Sequence, residues 1–136
     1  MNIFKDVANF DKQLSLVDPE IDRAVQEQDP RIKVLAETLI KEEYQEVMVA
    51  FSDGTTADLM KELADLIYVC VQAMIRLAVA RGAYVTKLDI AMQVWKAVHN
   101  SNQSKLGPDA EVRADGKLLK SDSYQEADLS FIKEEF

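Results

Sequence analysis

Apolar residues recur every three or four positions along most of this chain, which is the period of a helix with one buried face. Phe4, Val7, Phe10 and Leu14 form the first such stripe and predict an amphipathic helix ending before Asp18-Pro19. Pro30 suits the first position of the next helix, with Asp29 as its cap, and Ile32, Leu35, Ala36, Leu39 and Ile40 mark its inner face as far as about Phe51. Asp53-Gly54 breaks that helix. Thr55 precedes Asp58 by three residues, a capping-box spacing that starts a helix running to about Arg81, before Gly82. Leu88, Ala91, Val94, Trp95 and Val98 share one face of a further helix, which begins near Thr86 and stops at Gly107-Pro108. Trp95 is assigned to the core. Beyond it the period changes, and Asp115-Gly116 between two short runs predicts a two-residue β-hairpin. The expected fold is therefore all-α in a single domain over 1–136, with a helical core over about 1–106 and a hairpin and tail over about 107–136. The segment Leu66–Val71 is apolar on every side, and so short a chain has few helices to cover it. That predicts a helical bundle completed by homo-oligomerisation, as a dimer or tetramer.

One stripe is interrupted where its own period asks for leucine. In "KEEYQEV" the buried face of the second long helix continues into Glu43 and Glu46, three residues apart and so on one side. The next helix repeats the spacing with Glu62 and Asp65 in "ELAD". Both pairings, Glu46 with Glu62 and Glu43 with Asp65, are equidistant from Gly54. If the two helices fold back antiparallel, each pair stands level. A rise of ~1.5 Å per residue keeps the two levels about 4.5 Å apart, and Glu42 flanks the same face. Carboxylates so close must bind protons or share a cation. Oxygen donors alone select a hard ion, Mg²⁺ first and Mn²⁺ second. A di-iron bundle would want Glu-x-x-His pairs, and the single histidine, His99, lies in neither acidic motif. Glu and Asp at this spacing are also common on solvated helix faces. Two such pairs on otherwise burying stripes, both centred on one turn, are much harder to obtain without a site.

Composition narrows the partners. Sixteen Lys+Arg against 24 Asp+Glu give a net charge of −8, which argues against a general binder of nucleic acid polymers. A metal bridging acidic side chains to phosphate oxygens remains compatible with that charge. Cys70 is the only cysteine, so no intrachain disulfide can form and a Cys/His zinc site lacks ligands; a reducing cytoplasm is the expected setting. Asp6 and Asp11 interrupt the first apolar stretch, unlike a secretory signal. Asp65, Gln72 and Arg76 likewise interrupt the apolar run over 63–80, making it a buried bundle helix rather than a membrane span.

"EEYQE" followed after a short turn by "ELAD" resembles the E-E-x-x-E…E-x-x-D signature of MazG-like nucleoside triphosphate pyrophosphohydrolases. That all-α superfamily also includes the phosphoribosyl-ATP pyrophosphohydrolases. "VHNSNQSKLG" (Val98–Gly107) resembles V-H-x-S-N-M-S-K in one branch of the superfamily, with Gln103 in place of the usual Met, and "ADGKLLKSDSY" resembles its D-G-K-V-L-K…Y tail. The resemblance implies an oligomeric helical bundle that uses Mg²⁺ to cleave nucleoside or deoxynucleoside triphosphates between the α and β phosphates, releasing the monophosphate and pyrophosphate. Carried across by motif position, Glu43, Glu46, Glu62 and Asp65 are the implied metal ligands. Glu42 is an auxiliary ligand or water-orienting group, so that Glu42, Glu43 and Glu46 form the catalytic set. Asn102 and Lys105 are the implied substrate contacts, joined by Lys117, Lys120 and Tyr124 from the tail. The alternative is a helical oligomer that holds nucleotide and metal without turnover. Asn, Ser and Lys in "HNSNQSKL" would also serve simply to satisfy a helix C-terminus. His99 is read as structural, and nothing in the spacing supports a base-closing role for Phe10.

Overall fold

A computed structural model describes residues 1–82 and 84–132. Helix α1 spans Ile3–Val17 and starts where the Asn2 side chain accepts hydrogen bonds from the backbone N–H groups of Phe4 (3.0 Å) and Lys5 (3.2 Å). Asp18 both ends α1 and caps a short helix, α2 (Pro19–Gln26), by accepting from Glu20 N at 3.1 Å and Ile21 N at 3.4 Å. Pro19 therefore ends one helix and opens another, and α2 is an addition to the pattern read from the sequence. Helix α3 spans Arg31–Asp53, with Asp29 accepting from Arg31 N at 3.0 Å. Helix α4 spans Thr56–Leu77 and has the full capping box: Thr55 Oγ1 accepts from Asp58 N, and the Asp58 carboxylate accepts from Thr55 N.

The described chain divides into two units, Met1–Ala91 and Met92–Ile132. In the first, α3 and α4 pack along their length as an antiparallel pair, α1 lies on α4 and α2, and α2 touches α3. Val7, Ile32, Ala36, Val47, Val71 and Ile75 are buried between them. The reversal from α3 to α4 needs a glycine. A Cβ on Gly54 would stand 2.8 Å from the Ala50 carbonyl oxygen and 3.0 Å from the Ala50 Cα, neither of which can move without unwinding α3.

One polar network crosses this unit. Arg76 is buried on α4 and donates from Nε to Asp11 Oδ2 (3.0 Å) and from Nη2 to Asp11 Oδ1 (3.1 Å). The buried Gln72 donates from Nε2 to the same Asp11 Oδ1 at 2.6 Å, so α1 and α4 are joined through one carboxylate. Helix α4 ends at Leu77, four residues before the expected stop at Arg81. Its last carbonyls are capped from outside by the Lys87 ammonium, which donates to the carbonyls of Arg76 (3.3 Å) and Ala78. Gly82 instead sits with φ +62 in a turn bounded by an Arg81–Val85 antiparallel bridge. Helix α5 (Lys87–Gln103) begins at a second reciprocal cap, Thr86 with Asp89.

The second unit holds most of α5, a 3₁₀ turn at Ser104–Leu106 and the segment after it. Ser101 Oγ donates to Gln125 O at 2.7 Å, and Ser104 Oγ accepts from Gln125 N at 2.8 Å, which ties the tail to the end of the helix. The expected hairpin contracts to one antiparallel bridge, Val112 with Leu118, and no strand forms among the described residues. The loop is one residue longer than expected: Gly116 N bonds Arg113 O and Arg113 N bonds Lys117 O, with Gly116 at φ +94. Val112 is exposed, so the arms have no alternating apolar face to bury. Trp95, expected in the core, is 56% exposed. No helix among the described residues is long and apolar enough to cross a membrane.

Gly54→Ala is expected to destabilise the protein by about 1–3 kcal/mol through overpacking at the α3–α4 turn, read as a lower urea midpoint.

Candidate metal centre

The register set at Gly54 brings the acidic motifs together. One carboxylate oxygen from each of Glu43, Glu62 and Asp65 lies within 4.8 Å of the other two. All three residues are half-buried, since the period that aims them inward also buries Val47 on α3 and Val71 on α4. Glu43 Oε2 and Glu62 Oε2 are shut off from solvent and accept no hydrogen bond from any described residue. A buried carboxylate oxygen without a donor is costly. Burial, and then the charges of Glu46, Asp65 and Glu62, push the Glu43 carboxyl above the usual carboxylate range.

Glu46 is exposed and stands outside the three-residue cluster, although it is close enough to hydrogen-bond Glu43. Glu42 is exposed on the flank of α3. The donor set is therefore three converging carboxylates, two of them with an orphaned oxygen, and a fourth beside them. This composition fits a hard divalent cation, which would satisfy the two orphaned oxygens together.

Lys61 was not among the expected site residues. Its ammonium pairs with Asp65 Oδ2 at 2.9 Å and with Glu62 Oε1 at 3.1 Å while its side chain stays 67% exposed. These contacts hold the ammonium protonated well above its ordinary range. A lysine four residues before an aspartate, next to a glutamate, is the signal that was there to be read.

A cavity opens on either side of the acidic ridge. One, of 370 Å³, is lined by Glu46, Val49, Asp53, Asp58 and Glu62. The other, of 420 Å³, includes Glu43 and Asp65 with Phe10, Leu39, Tyr68 and Gln72. Phe10 meets Tyr68 edge-on, with ring centroids 5.6 Å apart.

Of the expected substrate contacts, four gather within the second unit. Lys105 Nζ donates to Asn102 Oδ1 at 3.1 Å and lies 5.8 Å from the centre of the Tyr124 ring, and Lys120 Nζ lies 4.9 Å from that centre. Lys117 does not join them; it is exposed, and its backbone closes the 113–117 turn.

Glu43→Gln is expected to raise the melting temperature of metal-free protein by a few degrees, because it removes one like charge, and to weaken the binding of a divalent cation. Lys61→Gln is expected to have the opposite signature: a lower melting temperature in chelator and severalfold tighter binding of a divalent cation by calorimetry, because the competing ammonium is gone.

The family model of the phosphoribosyl-ATP pyrophosphohydrolases matches residues 9–102, well over half of the chain, and spans Glu42, Glu43, Glu46, Glu62 and Asp65 together with Asn102. No curated protein and no solved structure matches the chain. The chain belongs to the phosphoribosyl-ATP pyrophosphohydrolase family, within the all-α superfamily of nucleoside triphosphate pyrophosphohydrolases.

Proposed function

We propose that this protein hydrolyses nucleoside or deoxynucleoside triphosphates to the monophosphate and pyrophosphate, with Mg²⁺ as its metal and Mn²⁺ as a substitute. The observation that carries the reading is the convergence of Glu43, Glu62 and Asp65, with two oxygens lacking a donor among the described residues, inside the span matched by a pyrophosphohydrolase family. These three residues, with Glu46, would hold the metal. When bound, the ion supplies positive charge to the phosphoryl oxygens and lowers the pKa of a coordinated water.

The remaining work belongs to the protein. Glu42, free of the cluster and exposed at its edge, orients the attacking water and accepts its proton. Glu43 and Glu46 share the catalytic role by fixing where that water stands. Asn102, Lys105, Lys120 and Tyr124, with Lys117, contact the nucleotide, and the lysines neutralise charge on the departing pyrophosphate. The whole chain acts as one domain. Met48, Val49, Phe51, Met60, Leu63 and Ile67 on α3 and α4 are exposed apolar side chains, which supports a homo-oligomer, dimer or tetramer. A single, half-buried cysteine whose thiol is pushed up by burial suits a cytoplasmic setting.

Purified protein with Mg²⁺ and a panel of ribo- and deoxyribonucleoside triphosphates is expected to release pyrophosphate and monophosphate. Orthophosphate with diphosphate would make the bond assignment wrong, and tight binding without product would leave a nucleotide-holding module. Glu62→Gln is expected to lower kcat/KM by about 100-fold or more, since losing even an outer partner of a metal ligand costs up to about that much.

A further inference from the structure

We infer that Ser101, Ser104, Asp109 and Ser123 form a clasp that positions Lys105 and Lys120 as a ready-made seat for a phosphate chain, one that binds without a metal. The inference deepens the pyrophosphohydrolase reading, on which it rests for the identity of its ligand. Every residue in it belongs to the second unit.

The clasp grips the chain on both sides of Tyr124. On one side, Ser123 Oγ donates to Asp109 Oδ1 and Ser104 O, 3.1 Å from each, and Asp109 Oδ2 accepts from Asp122 N at 2.8 Å. On the other, both backbone groups of Gln125 are engaged, its N–H by Ser104 Oγ and its carbonyl by the buried Ser101. A turn bond from Tyr124 N to Ser121 O at 3.0 Å fixes the residue between them. Gly107 makes room for this arrangement. Its φ of −67 is open to any residue, but a Cβ there would stand 3.0 Å from Ser123 Cβ and closer still to the Ser123 hydroxyl. The glycine is therefore required by Ser123 and not by the backbone.

With Tyr124 pinned, its ring gathers two ammoniums from different segments, Lys105 Nζ at 5.8 Å and Lys120 Nζ at 4.9 Å from its centre. Neither has a carboxylate partner among the described residues, whereas Arg113 in the same unit is neutralised by Asp115 at 2.6 Å. The Asp109 carboxylate is engaged in the clasp. A ring satisfies one flank of an ammonium and leaves N–H groups for an anion. Two lysines already held at one ring also avoid much of the ordering cost that free surface lysines meet on binding. Neighbouring phosphoryl groups carry charge enough for both ammoniums at once.

Calorimetric titration with inorganic pyrophosphate in chelator tests the seat without metal or turnover. The wild type is expected to bind pyrophosphate at least about tenfold tighter than orthophosphate, because the second phosphoryl group meets the second ammonium. Lys105→Gln with Lys120→Gln is expected to abolish that preference. Gly107→Ala and Ser123→Ala leave both ammoniums in place, and each is expected to weaken pyrophosphate about fivefold. Combined, they are expected to weaken it no more than one alone, because both act through the same hydroxyl. In the double-lysine variant, neither is expected to change the residual binding, a coupling that loss of stability alone does not produce. If Gly107→Ala does not fold, Ser123→Ala decides the clasp. Unchanged pyrophosphate affinity in the clasp variants overturns the positioning role. Equal affinity of the wild type for pyrophosphate and orthophosphate, or none for either, overturns the seat. Release of pyrophosphate from nucleoside triphosphates is a separate measurement, and its failure with clasp-dependent binding intact sinks the enzymatic reading alone.

Discussion

The register of α4 against α3 is the constraint on which the site depends. It is fixed over five residues: Gly54 lets the chain turn where a Cβ would meet the Ala50 backbone in the last turn of α3, and the Thr55–Asp58 box sets where α4 begins. A shift of one residue would turn Glu62 and Asp65 by about 100° around their helix. The apolar positions resist such a shift, since Val71 and Ile75 would leave the core with them. Packing energy therefore holds like charges together. The carboxylates do not gather because they attract one another; they gather because leucine, valine and alanine elsewhere on the same helices leave them no other place.

That arrangement explains why the site is legible in the sequence. Two acidic pairs at helical spacing and an even distance from one glycine specify a convergence, and three of the four residues meet as expected. The fourth, Glu46, lies nearer the edge because a helix face is curved and only part of it can point into a groove. The long helices and the Thr55 cap were readable for the same reason: each is a local rule. The missed features were either ambiguous locally or set by residues distant in the chain. Pro19 opens α2 because Asp18 caps it, whereas the residue pattern alone reads as a stop. The end of α4 is set by an ammonium ten residues further along the chain, and no pattern within α4 announces it. Trp95 lies on a sound apolar stripe, yet amphipathicity says only which residues share a face and not whether anything covers it.

The Asp11–Gln72–Arg76 network shows how charge can be placed inside a small helical unit at tolerable cost. One carboxylate accepts three hydrogen bonds from two buried side chains, so neither the guanidinium nor the amide nitrogen is stranded. Its position ties the first helix to the fourth at a level just beyond the acidic ridge. The two polar features divide the labour along α4. The carboxylates near its start are left short of partners, and the groups toward its end are saturated.

Lys61 gives the metal-free protein a tethered counterion. The side chain is mostly in water and reaches two of the three clustered residues through oxygens other than the orphaned one on Glu62. Uptake of a divalent ion would then be an exchange of one cation for another, with the displaced ammonium regaining its rotamer freedom in solvent. Monovalent salt loosens that tether by screening while affecting the buried oxygens less. Ionic strength thus acts on the waiting state of the site more than on its occupied one.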